Sequence, residues 1–147
     1  MKVIIERLGN LINQISKYIS ETSKENFSLK TNLGKWSKKE ILGHLIDSGI
    51  NNLQRFTEIQ FEEKPYKLKS YKQSQLVKAN NYQNAEIDEI INLLIAINKR
   101  IIEVIMLQTN ETLDYEIVTY DNEKFDLRYL IEDYVKHFEH HTNQIID

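Results

Sequence analysis

Apolar residues at Ile4, Leu8, Leu11, Ile12, Ile15 and Ile19 recur at steps of three and four. That spacing lines one stripe of an α-helix and predicts a first helix running to about Ser23. From Asn26 to Lys35 the chain carries Asn, Ser, Thr and Gly without periodicity and reads as a connecting loop. Ser37-Lys38-Lys39-Glu40 has the spacing of a capping box, in which a serine oxygen and a glutamate carboxylate satisfy backbone donors left open at a helix start. The second helix is therefore expected to begin there. Its apolar stripe is Ile41, Leu45, Asn52 or Leu53, Phe56 and Ile59, and it ends before the lysine-rich turn around Pro65. Between Tyr66 and Gln83 the pattern is ambiguous: a short helix near Ser74 to Asn80 suits its Ala, Leu and Lys, but the polar content leaves little to bury.

Ile87, Ile90, Ile91, Leu94, Ile97, Ile101 and Ile105 form the next stripe, widened by Ile95 and Ile102, with Asn84 as the expected cap. Glu116 to Tyr120 alternates around β-formers, and Asp121-Asn122 is good turn chemistry, so a small hairpin is expected before the last helix. That helix starts after Asp126, an N-cap residue, and runs through Leu127, Leu130, Ile131, Tyr134, Phe138 and Ile145 to the end. Each stripe must be buried against another element, so the expected fold is all-α, an antiparallel four-helix bundle forming one domain over residues 1–147. A single Pro and four Gly fit that reading.

A chain of 147 residues can build one sizeable core, burying roughly 70% of the surface its unfolded form exposes. Its 19 Lys and Arg are scattered among 22 Asp and Glu, for a net charge of −3, so no basic patch stands ready to neutralise a row of phosphates. Nucleic acid is not the partner this pattern predicts. Glu6 and Arg7 follow only three apolar residues at the N-terminus, unlike a signal peptide, and no apolar run is long enough to span a bilayer. A cytoplasmic protein is expected. With no cysteine, any bound metal must be held by histidine, carboxylate or water.

Two histidines interrupt the core-facing stripe of the last helix where its period calls for apolar residues. His137 and His141 lie four apart, one above the other on one face, so both imidazoles can reach one ion at ~2.0–2.1 Å. His44, beside Ile41 and Leu45 on the second helix, supplies a third nitrogen. Three neutral imidazoles plus water is the ligand count of a reactive site, in which the ion polarises an oxygen or stabilises a thiolate. The competing reading is that these histidines are hydrogen-bonded core residues, which is the ordinary state of a lone histidine on an apolar face. His140 points off the stripe beside Glu139 and is left out of the ligand set. Asp47, three residues after His44, is placed either to orient an imidazole or as a solvated carboxylate. Arg55, eleven residues after His44 and about three turns along the same face, either greets an anionic substrate or pairs with a surface glutamate. Trp36 reads as a core or staple contact.

The sequence has no glycine-rich phosphate loop, no serine nucleophile elbow and no HExxH pattern, so those chemistries lack their signatures. Two segments do resemble a known family: Lys35-Trp36-Ser37-Lys38-Lys39-Glu40-Ile41-Leu42-Gly43-His44-Leu45-Ile46-Asp47, and Tyr134-Val135-Lys136-His137-Phe138-Glu139-His140-His141-Thr142-Asn143-Gln144-Ile145. Together they resemble the DinB-like superfamily over nearly the whole chain. The resemblance implies a four-helix bundle, commonly a homodimer, with a divalent metal, nickel or zinc, on His44, His137 and His141. It also implies a metal-dependent transferase using a low-molecular-weight thiol such as bacillithiol or mycothiol on a small electrophile. The alternatives are a metal-dependent hydrolase, and a non-catalytic metal-binding or stress-response protein.

Overall fold

The computed structural model describes residues 1–32 and 34–147; Leu33, inside the predicted loop, lies outside them. Four long helices carry the fold: α1 (Lys2–Glu21), α2 (Lys38–Glu58), α4 (Ile87–Met106) and α6 (Leu127–Ile146). Shorter elements connect them: β1 (Tyr66–Lys67), α3 (Gln73–Ala79), α5 (Asn110–Leu113), β2 (Glu116–Val118) and β3 (Lys124–Asp126). Among the described residues no helix is long and apolar enough to cross a membrane.

The capping box forms as its spacing requires. The Glu40 amide donates to Ser37 Oγ at 3.1 Å, and the Ser37 amide donates to Glu40 Oε2 at 2.8 Å, which fixes where α2 begins. Asp126 caps α6 by accepting from the Tyr129 amide at 2.8 Å. Asn84 does not cap α4. Residue Glu86 occupies the cap position without a side-chain bond, while Asn84 closes a 3₁₀ turn over Tyr82–Asn84 and donates to Asn81 Oδ1. A 3₁₀ turn over Lys24–Ser28 overlaps the start of the predicted loop and buries Phe27.

Helix α1 packs on α6 and α4, and α2 packs on α4 and α6, leaving α1 opposite α2 across the bundle. The expected stripes meet inside: Leu8 and Ile15 of α1, Leu42, Leu45, Ile46 and Phe56 of α2, Ile90, Leu94 and Ile101 of α4, and Ile131 and Phe138 of α6 are buried. The hairpin β2–β3 forms antiparallel, with Ile117 opposite Phe125, and Asn122 takes a positive φ of 62° in its turn. The sheet gains a third strand that local pattern did not announce: β1 pairs in parallel with β2, Tyr66 against Ile117. Helix α3 is amphipathic only in the weakest sense, burying Val77 alone.

Candidate metal centre

Helices α2 and α6 face one another, and their contact brings His44, His137 and His141 together. One ring nitrogen from each lies within 4.8 Å of the other two. The ring centroids are 5.0 Å apart for His44 and His137, 4.7 Å for His44 and His141, and 4.6 Å for His137 and His141. The four-residue step on α6 does what helix geometry allows, and α2 delivers the third ring from across the seam.

Core histidines are expected to be hydrogen-bonded, and two of these rings keep a buried nitrogen that is not. Nδ1 of His44 and of His137 are both buried without a hydrogen-bond partner. Their Nε2 atoms instead point at each other, 3.0 Å apart. Two imidazole nitrogens on a tetrahedral ion at ~2.0–2.1 Å would stand about 3.3 Å apart, so the pair sits close to chelating geometry. His141 is oriented from outside. Its Nδ1 lies 2.8 Å from Gln144 Oε1, and Gln144 Nε2 lies 3.1 Å from His140 Nε2. An amide oxygen only accepts, so His141 Nδ1 carries the proton and Nε2 keeps its lone pair. His140 is exposed; its ring lies 5.0 Å from that of His141 between centroids, and Gln144 links the two.

Burial, reinforced by the neighbouring histidines, pushes the pKa of His44 and of His137 down to about 4. Burial also lowers His141, against the opposing effect of its bond to Gln144. The three rings are therefore neutral near pH 7, the protonation state that ligates metals. The donor set, the tautomer at His141 and the convergence of one ring nitrogen from each histidine all fit a divalent ion.

Asp47 is buried, 3% exposed, and does not reach His44. Its Oδ1 accepts from Tyr82 Oη at 2.7 Å and from Asn80 Nδ2 at 2.8 Å, and its Oδ2 has no partner. Neither sequence expectation for it holds, because the 3₁₀ turn after α3 sets Tyr82 against this face of α2. Burial raises the Asp47 pKa, with the bonds from Tyr82 and Asn80 opposing that shift. A carboxyl with a raised folded pKa holds its proton over a range where the unfolded chain has lost it. Its ionisation therefore weakens the fold at neutral pH, and the penalty fades as pH falls through the folded pKa. Asp47→Asn keeps an acceptor for Tyr82 and Asn80 without the charge. It is expected to unfold at higher denaturant than wild type at pH 7, with the gap closing in acid, as measured by urea titration at several pH values.

Tyr82 also explains a glycine. A Cβ on Gly43 would sit 2.1 Å from the Tyr82 ring, a separation no packed pair tolerates. Gly43→Ala is expected to displace Tyr82 and cost roughly 1–3 kcal/mol, the range for overpacking a core, read by chemical denaturation.

Trp36 was placed by sequence in a core or staple contact. Its ring lies against His44, with centroids 5.0 Å apart, and it lines a cavity of roughly 870 Å³ that also touches Tyr18, Lys38, Ser74, His141 and Gln144. Among the described residues Arg55 pairs with no glutamate. It lines a second, smaller cavity, of roughly 200 Å³, that His137 also touches. The cluster thus lies between two openings, and no local sequence pattern announced the role of Trp36 in shaping the larger one.

A model of the DinB superfamily matches residues 7–145. A Bacillus cereus protein named "putative metal-dependent hydrolase" is 23% identical over 141 residues, covering 96% of this chain and 80% of that one. YfiT from Bacillus subtilis, described as a probable metal-dependent hydrolase with an unusual four-helix bundle topology, superposes with a TM-score of 0.87 at 20% identity, over 98% of this chain and 82% of YfiT. A mycothiol-dependent maleylpyruvate isomerase superposes with a TM-score of 0.75 at 12% identity, over 98% of this chain and 60% of the isomerase. At these identities the superpositions establish the shared bundle.

Proposed function

This chain belongs to the DinB superfamily, and on that premise we propose that His44, His137 and His141 hold one divalent metal ion at which a low-molecular-weight thiol is directed onto a small electrophile. The observation that carries the reading is the convergence of three neutral imidazoles between two cavities, one for each of two reactants. A divalent ion bound there supplies a positive charge that lowers the pKa of a thiol or water brought beside it. The chain has no cysteine of its own, so the thiol is a cosubstrate. Gln144 fixes the tautomer of His141, Trp36 braces the His44 ring, and burial keeps the ligands deprotonated. The larger cavity is walled by Trp36 and Tyr18, with Lys38 tied to Tyr18 Oη at 2.8 Å, and it has the volume of a site for a whole small molecule.

Hydrolysis at the same centre is the second reading, favoured by the name of the Bacillus cereus relative and the description of YfiT. The two are separated by assaying thiol conjugation and ester or amide hydrolysis on protein stripped of metal and then restored with zinc or nickel. Conjugation that appears only with the ion, and vanishes when all three histidines are alanine, is the expected result. Hydrolysis without conjugation moves the assignment to the second reading. A chain that takes up no metal and shows neither activity overturns both.

A further inference from the structure

Helix α2 carries a polar stripe that the metal ligands do not account for. Ser48, Asn52 and Arg55 follow His44 at steps of four, four and three, so all four lie along one face. Ser48 and Asn52 are 1% and 5% exposed, where a bundle helix ordinarily buries apolar side chains. They wall the small cavity with Arg55, Tyr71, Asp133 and His137. This slot lies along the seam of α2 and α6, with His137 and Arg55 both on its walls.

Arg55 is anchored without a counter-ion. Its Nη1 donates to Asn52 Oδ1 at 3.3 Å, its Nη2 donates to the Lys69 carbonyl, and its guanidinium lies 5.2 Å from the centroid of the Tyr71 ring. No ion pair among the described residues includes it. Burial lowers its pKa, the mark of a cation that has lost part of its hydration with no anion in return. Two of its five N–H donors are committed, so others remain for the two oxygens of an incoming carboxylate. Asp133, also on the slot wall, is exposed, so solvent screens its repulsion of a single carboxylate, while a doubly charged anion meets twice that repulsion.

We propose that this slot is a carboxylate subsite, with Arg55 taking the acid end of a substrate whose reactive group is presented at His137. His44 and Arg55 are separated by about 16 Å of helix rise, a gap shortened because the long Arg55 side chain reaches back one turn to Asn52. The substrate class is therefore an elongated monocarboxylic acid with its reactive centre several bonds from the carboxylate. At roughly 200 Å³ the slot is smaller than the ~300–1,000 Å³ that encloses a whole drug-sized ligand, so it takes one arm of the molecule and leaves the rest at the histidines. The assignment rests on the metal reading only for what happens at the reactive end; recognition of the acid does not need the ion.

The test is an NMR titration of the full chain, metal-free and zinc-loaded, with hexanoate and with its neutral isostere hexanamide, following the Arg55 Nε–H signal and the backbone amides around the slot. Zinc content is measured on each sample. The expected result is saturable shifts at Arg55, Gln73 and His137 with hexanoate and none with hexanamide. Binding should weaken roughly ten- to a hundredfold in Arg55→Gln, as loss of a charged hydrogen-bond donor predicts. Arg55→Lys, which keeps the charge without the fork, falls between them. Equal shifts with hexanamide, no saturable shift at Arg55, or undiminished binding in a folded Arg55→Gln chain overturns the subsite. A chain that takes up no zinc yet binds hexanoate through Arg55 overturns the metal reading and leaves the subsite standing. A chain that takes up zinc and binds hexanoate equally well in Arg55→Gln does the reverse.

Discussion

Zinc is expected to raise the melting temperature of the wild-type chain by on the order of 8–10 °C at a free concentration near a hundred times its dissociation constant, and to leave His137→Ala unchanged. Ligand that binds only the folded state stabilises it by about 2.7 kcal/mol at that ratio, and a domain of this size gains a few degrees per kcal/mol. His137 is the residue to remove because its Nε2 faces that of His44 at 3.0 Å and it is the ligand that also lines the small slot. Without it, two imidazoles on different helices remain and the chelate opens. Scanning calorimetry of both chains, with zinc and with chelator, separates this from mere packing. If His137 only filled space, alanine would cost the usual ~0.5–3 kcal/mol in both conditions and zinc would move neither chain. If His137→Ala is stabilised by zinc as strongly as wild type, the ion sits elsewhere.

What the sequence made legible is what depends on neighbours a few residues away. The Ser37 and Glu40 box, the Asp126 cap, the apolar stripes of the four long helices and the His137–His141 step are all local, and each stands in the structure where its spacing puts it. Placing His44 opposite that pair required only that two amphipathic helices share a core. The features that escaped reading depend on contacts between distant parts of the chain. Asp47 finds Tyr82 thirty-five residues away, and nothing in the sequence around either one records that partnership. Strand β1 is two residues long and exists because β2, fifty residues later, offers it an edge. Asn84 has the right chemistry for a cap but is taken up by the 3₁₀ turn that delivers Tyr82 to Gly43. Arg55 was placed correctly along its helix face, yet whether it met a glutamate or a cavity depended on Tyr71 and the Lys69 carbonyl, both outside α2.

Phe138→Ala is expected to cost about 3–5 kcal/mol of folding free energy, the range for removing a fully buried aromatic side chain. Phe138 is 0% exposed, lies 6.3 Å from Tyr134 between ring centroids, and follows His137 directly on α6. The loss is a large share of the ~5–15 kcal/mol that holds a domain together, so the variant folds with little margin. Urea titration should show a lower midpoint with the slope unchanged, the sign that the native state is still the same compact bundle. Phe138→Leu, which keeps most of the volume, should recover the greater part. The informative step is to repeat both titrations with zinc. Neighbouring residues are the ones whose effects fail to add, and Phe138 is what seats the turn of α6 that carries His137. A cavity at Phe138 loosens that turn, so zinc is expected to return less stability to the alanine variant than to wild type, and the deficit measures how much of the metal site's geometry is held by the core behind it. An undiminished zinc gain would mean instead that helix α6 alone, by its four-residue spacing, is enough to hold His137 and His141 in register.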